Sequence, residues 1–213
     1  LFKSACRAFL SLEPGFLGCF FNLFDLPLNA PLLVALVDID IAQLLLVVNP
    51  TLRCYNLNTI LHSMYSGPLF IASDHAGYQL KKRLVRYLEN ELKIQVEDLG
   101  ASTYNPEDDF PDYIIPAAEK AVEAGGRVII IGGSGNGEAM AANKVRGMRC
   151  ALSHSVETAE LSRAHNNANG LSLGARILTE DHALAIVKKW LTTEFSDEPK
   201  YERRNRKIVE YER

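Results

Sequence analysis

From Pro68 onward the chain alternates short apolar runs with longer segments of helical period. PLFIA (68–72) reads as a buried strand. In GYQLKKRLVRYLENEL (77–92), Leu80, Leu84, Tyr87, Leu88 and Leu92 recur at helical spacing with lysines and arginines between them. IQVEDLG (94–100) alternates like a strand, and STYNPEDDFPD (102–112) is rich in turn residues. YIIPAAEKAVEA (113–124) predicts a helix, GRVIII (126–131) a buried strand, and 137–144 a helix. RCALS (149–153) and GLSLG (170–174) are strands, separated by the helix VETAELSRAHN (156–166) and followed by EDHALAIVKKWLTTEF (180–195). Strand and helix alternate about five times. That predicts an open, doubly wound, Rossmann-like sheet of about five parallel strands with helices on both faces, plus a charged C-terminal helix over 198–213. Such sheets bind ligands at the carboxyl ends of their strands, near the point where strand order reverses.

The pattern fails over residues 1–63. They carry three basic and four acidic side chains, against 20 and 22 in the remainder, and three of the four cysteines. Their longest apolar run, LLVALVDIDIAQLLLVV, contains Asp38 and Asp40. Each central Asp costs roughly 2.5–3.5 kcal/mol on insertion scales, which argues against a membrane span. LFKSACRAFL has a faint targeting character that Glu13 and the lack of a cleavage signal weaken. Residues 1–63 are therefore expected to be an appendage outside the working domain, residues 64–213, and not necessarily part of the native protein. With 213 residues, 47% hydrophobic, the chain can bury one sound core. A net charge of −3 and no basic block exclude a nucleic-acid role. The absence of any CxxC pair argues against zinc and disulfides and for a reducing, cytoplasmic setting.

Chemistry enters at VIIIGGSGNGEAMAANK (128–144), where four glycines fall between Gly132 and Gly137 and an acid, Glu138, follows. A dinucleotide fingerprint would need glycine at 138, and a Walker loop would need a lysine after Gly137; neither matches. What remains is a nest of backbone N–H groups from Ser134 to Glu138, suited to an oxyanion. Two readings of Glu138 stand side by side: a first-turn acid favoured by the helix dipole, or the proton-transfer partner of a transient oxyanion held by the nest. Asp74 and His75 follow the first strand; Asp74 has the residue type of a helix cap. His165 and Asn166 close a helix, where a histidine is commonly a dipole partner. Arg176 follows the last strand. Lys200 and Arg204 stand four apart on the final helix, a solvated face or a phosphate clamp.

SDHAGYQLK, DFPDY, GGSGNGEAMAANK, LSRAHNNAN and SLGAR, in that order, resemble the type B ribose-5-phosphate isomerases, whose wider family includes galactose- and allose-6-phosphate isomerases. The resemblance spans 64–213 and none of 1–63. It implies a metal-free, cofactor-free aldose–ketose isomerase acting on a phosphosugar through a cis-enediol. It also implies a homodimer or pair of dimers with shared sites, no nucleic-acid or membrane partner, and the cytoplasm. By the same resemblance Asp74 and His75 face the sugar, with His75 near the ring oxygen or phosphate. Gly133, Ser134, Gly135, Asn136 and Gly137 form the anion hole, with Ser134 among the catalytic residues. His165 opens the furanose ring, helped by Asn166. Arg176, Lys200 and Arg204 hold the phosphate, Arg176 across the dimer interface. Many bacterial members carry a catalytic Cys where this chain has Gly132; a second branch uses a Glu at the position of Glu138, and this chain follows it. Lys200 stands where arginine is expected. D-ribose 5-phosphate is the expected substrate, with another phosphosugar or a non-catalytic phosphosugar-binding module as alternatives.

Overall fold

The computed structural model describes residues 64–212; the expected appendage, 1–63, lies outside them. The described residues form five parallel strands, β1 (Leu69–Ser73), β2 (Glu97–Asp98), β3 (Arg127–Gly132), β4 (Cys150–Leu152) and β5 (Gly170–Gly174), in the order β2-β1-β3-β5-β4. Six helices are interleaved: α1 (Tyr78–Asn90), α2 (Pro111–Glu123), α3 (Asn136–Ala142), α4 (Val156–Asn166), α5 (Glu180–Thr192) and α6 (Pro199–Tyr211).

The continuous apolar runs at β1 and β3 are explained by burial on both sheet faces. Side-chain alternation sends Leu69, Ile71, Ile129 and Ile131 into a core with α1 and α5, closed by Trp190. Phe70, Ala72, Val128 and Ile130 point the other way, onto the alanine-rich face of α2 and onto Met148 and Cys150. Each of these aliphatic side chains contributes about 1.5–3 kcal/mol on full burial. β2 departs from the seven-residue strand read in the sequence: only Glu97 and Asp98 pair with β1. It is an edge strand with both residues exposed, so it is held by more than ladder bonds. The buried ammonium of Lys81 reaches from α1 to Asp98 and to the carbonyl of Ala101. α2 starts two residues earlier than its apolar pattern, because Pro111 fits the first helical turn, where no N–H partner is needed.

Among the first described residues, the Tyr65 N–H donates to the carbonyl of Leu191 at 3.1 Å, and the Arg127 guanidinium lies 4.0 Å from its ring centre. No helix of the described residues is long and apolar enough to cross a membrane. Strand order reverses between β1 and β3, and the carboxyl ends of these strands lie side by side, Ser73 opposite Ile131.

Candidate active site

At the end of β1 the chain turns through Asp74 into α1. Asp74 is buried, and its Oδ1 accepts from the N–H groups of Ala76 and Gly77 at 3.0 and 3.1 Å. It thus holds the turn that precedes α1, whose own N-cap is Gly77 without a side-chain cap, and Asp74 Oδ2 lies 3.9 Å from His75 Nδ1. His75 is held from the other side. Asp108, from the β2–α2 loop, accepts from the His75 backbone N–H at 3.1 Å and lies 2.6 Å from Nδ1. This hydrogen bond, with the Asp74 and Asp108 charges, raises the His75 pKa above the usual imidazole range.

β3 delivers the glycine loop beside it. Gly135 adopts φ +81°, a conformation that glycine takes without strain, and this starts α3. Ser134 Oγ accepts from the backbone N–H of Asn136 at 3.3 Å. Ser172 Oγ, from inside β5, donates to the carbonyl of Gly135 at 2.7 Å, and Arg176 N–H donates to that of Gly133 at 2.9 Å. The loop is thus fastened to β5, and the same bond fixes Arg176 over it.

Glu138, in the first turn of α3, is only 5% exposed. Its carboxylate occupies the space that a side chain on residue 132 would need; a Cβ built on Gly132 overlaps it outright. Gly132 is therefore the vacancy that lets the acid turn back to the strand end. Burial raises the Glu138 pKa and the Asp74 charge adds to this, against the lowering effect of backbone N–H groups. A first-turn acid favoured only by the helix dipole would sit in solvent; this one is turned inward.

Asp74, His75, Phe110, Gly133, Ser134, Gly137, Glu138, Arg176 and Ile177 line one open cleft of about 410 Å³. It suits a ligand the size of a small sugar phosphate. Oxygen and nitrogen donors of Asp74, His75 and Asp108 lie within 4.8 Å of one another. The 2.6 Å between Nδ1 and Asp108 Oδ1 is shorter than the spacing of two ligands on one ion, so the pair as arranged is a hydrogen bond.

Arg176, whose main-chain N–H donates to the carbonyl of Gly133, lines the cleft of its own chain. Six expected residues do not line this cleft: Gly135 and Asn136 of the loop itself, and His165, Asn166, Lys200 and Arg204. His165 stacks on Tyr201 with ring centres 4.1 Å apart. The carbonyl of His165 accepts from Asn205 Nδ2 at 3.1 Å, and that of Asn166 from Arg149 Nε at 3.2 Å. Lys200 Nζ is ion-paired with Glu198 at 2.6 Å and lies 4.6 Å from the Tyr201 ring centre, with the Arg204 guanidinium at 6.0 Å. These side chains form a second cluster on α4 and α6, built around Tyr201. Asp108, Phe110 and Tyr201 are the residues to which sequence reasoning gave no role.

Fold and site together define a parallel-sheet protein with a cleft lined by carboxylates, an imidazole and a guanidinium beside a glycine loop at the switch point. The profile of the Ribose/Galactose Isomerase family matches residues 69–208, and the chain belongs to that family. It is 47% identical over 146 residues to ribose-5-phosphate isomerase B of Mycolicibacterium paratuberculosis, covering 68% of this chain and 91% of the relative. A crystal structure of ribose-5-phosphate isomerase B from Mycoplasma genitalium with bound ribulose-5-phosphate superposes with a TM-score of 0.66 at 39% identity, covering 70% of this chain and 97% of that one. The type B ribose 5-phosphate isomerase of Leishmania infantum gives a TM-score of 0.66 at 32% identity, covering 69% and 97%.

Proposed function

We propose that the chain interconverts D-ribose 5-phosphate and D-ribulose 5-phosphate through a cis-enediol. The observation that carries this reading is the Glu138 carboxylate, buried beside the glycine nest in space that Gly132 leaves free. A hydrogen on C2 is acidic because the neighbouring C1 is a carbonyl once the ring is open. Glu138 takes that proton and returns it to C1. The negative oxygen that develops meets the N–H groups of Gly133 to Gly137, where each donor is worth about 10²–10³ in rate. Arg176 and His75 line the same cleft and offer cationic partners to the phosphate.

Ring opening needs an acid–base group, and His165, helped by Asn166, is assigned that task. Because the α4–α6 cluster does not line the cleft of its own chain, we infer a homodimer in which His165, Asn166, Lys200 and Arg204 of one copy complete the cleft of the other. Lys200 supplies a point charge where an arginine would give a two-pronged contact. The residues of the cleft do this chemistry without a metal or organic cofactor. We place the reaction in the cytoplasm, a setting compatible with a metabolic phosphosugar enzyme.

Turnover of ribose, allose, galactose and erythrose phosphates under one set of conditions tests the reading. Ribose 5-phosphate is expected to give the highest kcat/KM. A preference of tenfold or more for another sugar, about 1.4 kcal/mol in transition-state binding, would reassign the substrate. Tight binding with no turnover of any sugar would leave a phosphosugar-binding module.

A further inference from the structure

The β2–α2 loop carries an aspartate that neither the family profile nor the relatives' names give a role. The side chain of Asp108 is 4% exposed although its loop is open to solvent, and its Oδ2 is buried without a hydrogen-bond partner. A carboxylate kept in that condition with only Oδ1 engaged, by the backbone N–H and the ring Nδ1 of His75, is a costly arrangement unless the histidine needs it. We propose that Asp108 is a positioning residue. It locks the His75 ring so that Nδ1–H points back at Asp108 and Nε2 faces the cleft, and it keeps the ring doubly protonated so that Nε2–H donates to the substrate phosphate.

The argument is one of tautomers. A neutral imidazole has one N–H. With that proton committed to Asp108, a neutral His75 would show the phosphate a bare lone pair and could not donate. Only the imidazolium has an N–H on both sides. The lock therefore makes protonation of His75 decisive for binding, and the Asp108 carboxylate beside the ring favours the protonated form. The charged groups that face His75 are Asp74 at the end of β1, Asp108 on the loop and Arg176 after β5; the Tyr104 ring stands edge-on at 6.4 Å. Asp108 raises the ring's pKa most, and Arg176 opposes it. Arg176 and His75 sit together on the cleft wall, which makes this the phosphate end and leaves the Glu138 end for the carbon chemistry.

The inference rests on the proposed isomerase reading, and two measurements separate them. The first needs no activity: ¹⁵N NMR of His75 in the full chain. The parent should show Nδ1–H in the neutral form and a titration above the usual imidazole range. Asp108→Ala should titrate at lower pH and shift toward the Nε2–H tautomer. Asp108→Asn, which still accepts from Nδ1–H but has no charge, should keep the parent tautomer with the lower titration. The second is KM for ribose 5-phosphate against pH. In the parent, KM should rise steeply as pH passes the His75 titration. Asp108→Asn should rise equally steeply from a lower pH. Asp108→Ala should bind about tenfold more weakly near pH 7, the size expected for one charge-assisted hydrogen bond. Its profile should then flatten and approach the parent at high pH, because its neutral ring is free to donate from Nε2. kcat should change much less than KM.

An unchanged tautomer in Asp108→Ala, or KM profiles that run parallel at every pH, would overturn the proposal while leaving the isomerase reading intact. Absence of turnover in the parent chain would overturn the isomerase reading, and the NMR titration would still decide whether Asp108 controls His75.

Discussion

The cleft at the β1 and β3 ends and the cluster on α4 and α6 hold expected site residues in opposite ways. In the cleft, Glu138 and Asp74 are buried, and the glycine loop is fastened by Ser172 and Arg176 to β5. In the cluster, Lys200 and Arg204 are exposed, Lys200 is tied to Glu198, and His165 rests on the face of Tyr201. The first region is finished by the chain that carries it. The second has its charges turned to solvent and its histidine already stacked, as suits a surface that docks elsewhere. Proton transfer at carbon needs a base fixed to within a fraction of an ångström, and the core of one chain can supply that. On the proposed reading, ring opening and part of the phosphate grip are left to groups brought by a second copy.

The comparison breaks most sharply at Glu138. Glu138→Gln keeps the shape but cannot accept a proton. It should lose at least about 10²-fold in kcat, the lower end of what a general base contributes, while substrate still binds. Exchange of the C2 proton of ribose 5-phosphate with deuterated water should stop. If the side chain only served the helix dipole, turnover would stay near the parent rate and stability would fall by less than about 1 kcal/mol. In the parent, the base must be ionised and burial raises its pKa, so the acid limb of kcat should lie above the ordinary glutamate range.

A second experiment sharpens the division between the regions. Glu138→Gln and His165→Ala chains should each be inactive alone. Mixed by co-expression, they should recover about a quarter of the parental activity, because half of randomly formed dimers are mixed and each has one intact site. A mixture as inactive as its components would show that both residues serve one chain's own cleft. The smallest effect is expected from removing residues 1–63. Both regions lie within 64–212, and Tyr65 already anchors the start of the fold to Leu191 and Arg127. A chain starting at Met64 should keep its melting temperature and kcat/KM, and loss of folding would refute the boundary.

Much of this was legible in the sequence where burial is two-sided. β1, β3 and β5 are apolar runs because both faces are covered, and the glycine loop is dense enough to announce itself. β2 was overread because alternation in 94–100 continues beyond the two residues that pair. The missed site residue, Asp108, sits in the acidic run Glu107-Asp108-Asp109, where composition cannot tell which carboxylate the loop folds inward. That Arg176 lines the same cleft as Gly133 was not legible, because residue order shows neighbours along the chain and not the turn that brings 176 back to 133. His165 was legible as a residue, but its stacking on Tyr201 arises from α4 meeting α6, a contact nearly forty residues apart in sequence.

The overlap between Gly132 and Glu138 also constrains ancestry. A side chain at 132 and the present seat of the Glu138 carboxylate compete for one volume, so any residue larger than glycine at 132 has to move the carboxylate. Cysteine arriving first would push the carboxylate from its seat, and a small residue arriving first at 138 would leave no base. On the proposed reading, exchanging this base for a thiol at 132 therefore takes a change at both positions, and neither single step leaves a properly seated base.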